Sequence, residues 1–489
     1  MNRLLLPAIT SLALLSAQAL AAPSASASTT ASTTIDFTTS LPGILCLIIF
    51  VVGYLFVLGE EFFHLRKSKP IIVAAGLIWL LVGLAYANTG DTETAAAALR
   101  HNLLEYAELF FFLLAAMTFI TTLEERLVFA ALRAWLVSRK LTLVQIYWAT
   151  GVMAFLLSPI ADNLSTALLM GAVVMAVGHN NVKFVAVGCI NVVVAANAGG
   201  AFSPFGDITT LMVWQKGLVS FSQFFNLFIP SLINWLIPAL LMSKAIEHVE
   251  PTTERRHAER HMKPGAITII ILFLLTIVLA VSSHSMLHLP PVLGMMTGLG
   301  VLKLYGFYLS KREPALRDTG HIHNLHSDDL TDMSQLEGDH TDVIRRFDMF
   351  QVVERSSWDT LMFFYGVVLC VGGLSTLGYL SLLSDLVYNN LGPTLANSLI
   401  GVLSALVDNI PVMFAVLSMQ PDMSLNQWLL VTLTAGVGGS LLSVGSAAGI
   451  ALMGQAHGVY TFYNHLKWSW AIALGYIASI AAHLWINGY

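Results

Sequence analysis

Ser158-Pro-Ile-Ala-Asp162-Asn163 and Ser404-Ala-Leu-Val-Asp408-Asn409 are two copies of one pattern, Ser-x-x-x-Asp-Asn, each set in a strongly apolar stretch. A carboxylate inside a bilayer is costly and marks function by default, so two in matching contexts predict a shared task. Each copy is followed by Gly-Gly-x5-Gly, first as Gly199, Gly200 and Gly206, then as Gly438, Gly439 and Gly445. Two motifs recurring in one order predict a chain built of two related halves.

Around these motifs the 489-residue chain is 56% hydrophobic and 11% charged, with a mean hydropathy of +0.73. That composition excludes an ordinary soluble domain and predicts an all-α polytopic membrane protein. The net charge of −5 identifies no partner, because charge in such a chain is sorted by loop, and nothing points to nucleic acid. Cys46, Cys189 and Cys370 are isolated thiols in apolar segments, which suggests neither a disulfide framework nor a metal centre. Residues 1–22, with Arg3 ahead of Leu4 to Leu20 and the small-residue site Ala19-Leu20-Ala21, read as a signal-peptide-like segment. Pro7 and several polar residues argue against an extra first span. A Ser/Thr/Ala-rich periplasmic spacer follows at 23–40, then a first transmembrane repeat at 41–243, a cytoplasmic linker at 244–264 and a second repeat at 265–489.

Full-length apolar runs lie near 41–59, 70–87, 103–122, 221–243, 265–283, 290–309, 359–378 and 468–486. With the mature N-terminus outside, Arg66, Lys67, Lys69, Arg126, Arg133, Arg139, Lys140, Lys183 and the Lys244 to Lys263 cluster are cytoplasmic, as is an insertion at 310–357. After Arg3, Arg100 and Lys216 alone fall outside, as the positive-inside rule requires. The second Ser-x-x-x-Asp-Asn segment, between Asn389 and Gln420, has about 30 residues, fewer than the roughly 40 that two full helices need. A re-entrant hairpin is the economical reading of both copies. The Gly-rich segments near 184–213 and 428–456 are expected to be broken helices, because glycine is flexible and Pro204 lacks a backbone donor. Each half is then three spans, a hairpin, a broken helix and a closing span. Five full crossings per half make the second half an inverted-topology repeat, with the first hairpin opening to the cytoplasm and the second to the outside. Inverted repeats with broken helices at matching positions mark secondary transporters, which bind substrate near the midplane.

Irregular backbone at membrane depth survives only where protein buries it or water reaches it, so hairpin tips and helix breaks mark the ion path. The first half supplies Asp162, Asn163, Ser165 and Thr166 at its tip, and Asn197, Ser203, Asp207, Thr209 and Thr210 around its break. The second supplies Ser404, Asp408 and Asn409 at its tip and Ser440, Ser443 and Ser446 around its break. Carboxylates, amides, hydroxyls and freed carbonyls are hard oxygen donors suited to a small hard cation. Three acids with no base in this set favour a cation over an anion. A carboxylate removed from water holds its proton more firmly and a bound cation displaces it, so one group can serve H+ and metal ion alternately. Asp162 and Asp408 are the first choice for the exchanging pair and the Na+ or Li+ ligands, with Asp207 a third ligand or part of the proton path. The bland alternative is that each Asp-Asn pair caps a half-helix, a role compatible with ion binding.

Other polar residues carry weaker signals. Glu105 and Glu108, one turn apart near an outer span end, read as an interfacial pair or an ion entry. Glu60, Glu61 and His64 sit at a cytoplasmic helix end, where solvation is the default. His321, His323, His326 and His340, among Asp328, Asp329, Asp332, Glu337 and Asp339, read as a solvated linker, with pH sensing the sharper alternative. His457 and Lys467 follow the second break as candidates for a charge relay, and Glu124 to Arg139 reads as an amphipathic interfacial helix.

The chain resembles the NhaD-type sodium/proton antiporters of the ion transporter superfamily. The resemblance spans nearly everything after the signal-like segment. It is carried by the two Ser-x-x-x-Asp-Asn strings, by Asn197-Ala-Gly-Gly-Ala-Phe-Ser203-Pro-Phe-Gly-Asp207-Ile-Thr209-Thr210, and by the Gly438 to Gly449 segment. It implies export of Na+, often also Li+, in exchange for H+ at alkaline pH in a bacterial inner membrane, with no cofactor beyond the transported ions. It also implies a homodimer of scaffold and elevator-like transport domains. Related members carry Ser-Asn-Thr at the tips, where this chain has Asp162-Asn163 and Asp408-Asn409, a departure that fits a cation better than a dicarboxylate. The rivals are an anion carrier for citrate, dicarboxylate or arsenite, an intramembrane aspartyl protease, and a channel. The protease reading fails on Pro204, which stands where the first glycine of its Gly-x-Gly-Asp motif belongs, and the channel is disfavoured by carboxylates suited to holding ions.

Overall fold

A computed structural model describes residues 36–63, 65–139, 141–178, 181–246, 262–312, 358–456 and 458–488, the side chains of 61, 62 and 137 excepted. The signal-like segment, most of the spacer and the linker, His64, the His/Asp-rich loop and His457 lie outside the described residues. Among the described residues all regular structure is helical, and ten helices are long and apolar enough to cross a membrane. The eight expected full-length spans are present as Leu41–Leu58, Ser68–Asn88, Thr92–Glu125, Phe221–Ser243, Ala266–Leu287, Pro291–Lys311, Trp358–Thr376 and Ser469–Asn487.

The helix starts are written in the sequence. Ser40 caps Leu41–Leu58 by accepting from the Gly43 amide, Asp91 caps the 34-residue Thr92–Glu125, and Asn181 and Ser424 cap the two Gly-rich helices. Thr142 and Gln145 form a reciprocal capping box at the start of the first hairpin. The amphipathic segment is a helix at Val128–Ser138, entered through Leu127 at a φ of 60°. The second half carries a joining element that the sequence does not announce, Tyr379–Ser384 continued by a π-helical turn at Asp385–Asn389.

Both hairpins are helix–break–helix units: Leu143–Ala161 with Asn163–Val177, and Pro393–Ser404 with Asn409–Met419. Their arms are unequal, 19 and 15 residues in the first, 12 and 11 in the second, so one arm of the first hairpin reaches spanning length. Both Gly-rich helices break as expected, Val182–Gly200 resuming as Ile208–Gln215, and Leu425–Gly438 resuming as Ala447–Gln455 after a 3-10 turn. Burial places the first broken helix at the centre: Val182–Gly200 is buried from Phe184 onward, whereas Leu41–Leu58 buries only Gly43, Cys46, Gly53 and Val57. The outer spans present large apolar side chains outward, Leu80, Leu275, Leu304 and Trp485 among them, as a surface facing lipid must.

The packing repeats the motif order. Leu143–Ala161 packs on Val182–Gly200, and Pro393–Ser404 on Leu425–Gly438. Each pair is latched by the first residue of its motif: Ser158 Oγ donates to the Ala196 carbonyl at 2.6 Å, and Ser404 Oγ to the Ala435 carbonyl at 2.8 Å. Both pairs also need glycine at the contact. A Cβ on Gly199 would lie 2.3 Å from the Phe155 carbonyl oxygen, and one on Gly438 would lie 2.1 Å from that of Gly401. The halves then interlock crosswise. The return arm Asn163–Val177 packs on Ala447–Gln455, the return arm Asn409–Met419 on Ile208–Gln215, and the closing spans Phe228–Ser243 and Ser469–Asn487 on each other. Against this core stand the remaining spans, with Ser68–Asn88 on Trp358–Thr376 and Thr92–Glu125 on Pro291–Arg312.

Gly438→Ala is expected to destabilise the protein by about 1–3 kcal/mol, the cost of overpacking against backbone that cannot yield. Gly83→Ala, which would meet open space, is neutral or stabilising by up to about 1 kcal/mol. Thermal unfolding of the two detergent-purified variants, read by loss of the size-exclusion peak, compares them.

Candidate ion site at the hairpin tips

Both hairpin tips and both helix breaks meet in one hydrogen-bond network. Its centre is Asp207, a buried residue that caps Ile208–Gln215, its Oδ1 accepting from the Thr209 amide at 3.2 Å. The other oxygen, Oδ2, accepts from Asn163 Nδ2 at 3.2 Å and from Asn409 Nδ2 at 3.0 Å. The second residue of each Asp-Asn pair, one from each half, therefore converges on a single carboxylate oxygen. Asn163 Nδ2 also donates to Asn197 Oδ1 at 3.2 Å, and Asn197 Nδ2 donates to Ser440 Oγ at 2.8 Å and Ser446 Oγ at 3.0 Å. Ser446 in turn caps Ala447–Gln455.

The two first-choice aspartates are not equivalent. Asp162 is the cap of its own return arm, accepting from the Ser165 amide at 2.7 Å and from Ser165 Oγ at 2.9 Å. It does so at a φ of 56° and ψ of 163°, a backbone region nearly restricted to glycine, at a cost of about 1–3 kcal/mol. Asp408 makes no cap bond, and its Oδ2 lies 3.5 Å from Lys67 Nζ, while its buried Oδ1 has no hydrogen-bond partner. The expectation of a site without a base is thus corrected: Lys67, read as one member of a cytoplasmic basic run, reaches the second tip. Asp162 and Asp207 instead line a small, half-open pocket of about 40 Å³, with Phe112, Ala116 and Ile120 of Thr92–Glu125 and Phe273 among its walls. That volume suits one or two water-sized occupants.

The remaining predicted residues divide into committed and open donors. Ser404 is spent on its latch, and Thr210 Oγ1 donates to the carbonyls of Ser203 at 2.7 Å and Asp207 at 2.6 Å. Ser203 Oγ donates to the Pro159 carbonyl at 2.8 Å, tying the turn after the break to the hairpin. Thr166 Oγ1 is buried with no protein hydrogen-bond partner, whereas the buried hydroxyls of Thr209 and Ser443 lie beside Asp207 and Tyr460. Hydroxyl and carboxylate oxygens of this kind are hard donors that suit a small hard cation.

A family model described as "Citrate transporter" matches residues 54–436. The "Na(+)/H(+) antiporter NhaD" of Alkalimonas amylolytica is 56% identical over 93% of this chain and 92% of that protein. The chain belongs to the NhaD-type sodium/proton antiporter family. The NhaD of Vibrio cholerae is 55% identical over 93% of this chain and 94% of its own length. "Sodium/proton antiporter 1" of Arabidopsis thaliana is 30% identical over 90% of this chain and 72% of its own length. The resemblance read from the motifs is borne out, and with its membrane-length helices this NhaD-type chain is a multi-pass membrane protein.

Away from the site, Glu105 is an ion-pair partner, bonded to Lys216 Nζ and, at 2.8 Å, to His101 Nε2. Lys467 stands 5.0 Å over the Tyr463 ring. Besides Lys67, sequence reasoning passes over Tyr54, whose buried hydroxyl lies beside Asp408, and His465. The His465 Nε2 donates to the Ser440 carbonyl at 2.8 Å and its Nδ1 accepts from the Tyr460 hydroxyl at 2.9 Å, so the ring braces the second break. No spacing or run marks these residues, since their partners lie on other elements. For the network in this NhaD-type chain, Asn163→Ala and Asn409→Ala are each expected to cost about 1–2 kcal/mol in thermal unfolding. Because both amides serve one oxygen, the double variant should depart from additivity by at least about 0.5 kcal/mol.

Proposed function

We propose that the chain exchanges Na+ for H+ across the membrane, with Asp207 as the carboxylate that trades its proton for the ion. One observation carries the choice: Asp207 Oδ2 is where the tip asparagines of both halves meet. A carboxylate oxygen holding two N–H donors has both lone pairs engaged, so loading at Oδ2 would draw Asn163 or Asn409 aside. Rotation of either amide would turn its carbonyl oxygen toward the same point and convert a donor into a ligand. Thr166, buried without a protein partner, and Thr209, beside Asp207, supply further oxygens at the tip and the cap. Asp162, across the small cavity, adds a second negative charge that favours a cation there. With H+ and Na+ competing for one group, each is carried only when the other has left, which is the requirement for antiport.

The citrate alternative, raised by the description of the matching family, meets the wrong charge. The cavity is lined by Asp162, Asp207 and apolar side chains, and the nearby Lys67 already faces Asp408. A polycarboxylate would be repelled there. Li+, a smaller hard cation of equal charge, is proposed as a second substrate. The duplicated latches and the crosswise packing support an alternating-access cycle between inverted halves, with the core moving against the scaffold spans, and the resemblance supports a homodimer.

In everted membrane vesicles acidified by respiration, adding Na+ or Li+ should make the lumen less acidic at neutral to alkaline pH. Absence of that response in membranes shown to contain the protein would sink the exchange reading. Asp207→Asn, close in size but unable to bind a proton, is expected to abolish the response while the protein still reaches the membrane.

A further inference from the structure

Lys67 stands in an awkward place for a cation. It occupies the N-cap position of Ser68–Asn88 without making a cap bond, at the end of a helix whose dipole favours negative charge. Its ammonium is carried over the Phe363 ring, 4.5 Å from the centroid, to lie 3.5 Å from Asp408 Oδ2. The side chains of Lys67 and Asp408 are 18% and 15% exposed, so the pair is mostly withdrawn from water. The next residue, Ser68, bonds through its hydroxyl to Asp359, which fixes the start of this helix against Trp358–Thr376. Asp408 Oδ1 is buried with no protein hydrogen-bond partner, and the buried Tyr54 hydroxyl lies against the Asp408 backbone. Asp162, at the matching place in the first half, is satisfied by Ser165 instead.

We propose that Lys67 is a resident countercharge, a positioning residue that occupies Asp408 while the site is empty and is displaced when the transported cation arrives. The inference rests on the exchange reading above. The Asn409 amide is bonded to Asp207, and the Asp408 carboxylate is near enough for its charge to act on Asp207, so an ion that draws Asn409 aside enters the field of both acids. A cation shared by Asp207 and Asp408 removes the charge that holds Lys67. Lys67 belongs to a scaffold span and Asp408 to the second hairpin tip, so loading would also untie the tip from the scaffold. Cation binding and release of the hairpin thereby become one event. With Lys67 absent, the cation meets no competitor at Asp408, binds more tightly and leaves more slowly.

The test uses the full chain. In everted vesicles at alkaline pH, Lys67→Gln should lower the half-saturating Na+ concentration about fivefold, the scale of one partly exposed ion pair, and reduce the maximal rate. Lys67→Arg, which keeps the charge, should stay near the wild-type half-saturation. A purely structural lysine would change rate or protein amount and leave half-saturation alone, and an unchanged or raised value in an active Lys67→Gln overturns the proposal. A second measurement needs no variant: acetylation of wild-type Lys67 by an amine-reactive ester, quantified by mass spectrometry in Na+ and in choline. Na+ should raise labelling severalfold, and equal labelling in wild-type protein that exchanges Na+ overturns the countercharge role. Wild-type vesicles without a Na+ response would instead sink the exchange reading itself.

Discussion

A buried carboxylate must be given hydrogen-bond donors, and Asp207 receives them from both halves of the chain. That constraint organises everything around it. For Asn163 and Asn409 to reach one oxygen, each hairpin must stop inside the protein rather than cross it, and each Gly-rich helix must open to make space. The breaks in turn leave backbone groups that need caps, and Asp207 and Ser446 supply them at the resumed helices. Remove the shared carboxylate and the Asn409 amide loses its bond to the first half, while Asn163 keeps only Asn197.

Much of this architecture was legible in the residues. The eight full spans follow from run length and charge alone, since about 20 apolar residues read the same whatever surrounds them. The hairpins and breaks follow from Asp-Asn in apolar context and from glycine density, and the structure adds why the glycines stand where they do: Gly199 and Gly438 face backbone. The chain's membership of the NhaD-type family was also visible, in the string from Asn197 to Thr210. What composition and spacing cannot carry is a pairing between distant elements. Lys67 and Asp408 are 341 positions apart, and nothing local to either one announces the other.

The repeat misleads on one point. Identical motifs invite identical roles for Asp162 and Asp408, yet one is an internally satisfied cap in strained backbone and the other an uncapped acid facing a lysine. The unequal hairpin arms show the same divergence at larger scale. The duplicated features that stayed alike, the serine latches and the glycine contacts, are those that build the frame. Those that differ include the first aspartate of each pair. Asp207, which has no acidic counterpart at Ser446, is the position where the halves are most unlike.

The latches of Ser158 and Ser404 leave little slack between a hairpin and the broken helix beside it. Bond lengths of 2.6 and 2.8 Å and glycine contacts that exclude even a methyl group make each pair a single mechanical piece. Crosswise docking then joins the two pieces into one block. A path to either side of the membrane therefore cannot open by peeling a hairpin from its partner helix without breaking several bonds at once. The contacts at the outer boundary of the block are sparser, with Phe112 and Phe273 lining the small pocket and Lys67 touching the second tip.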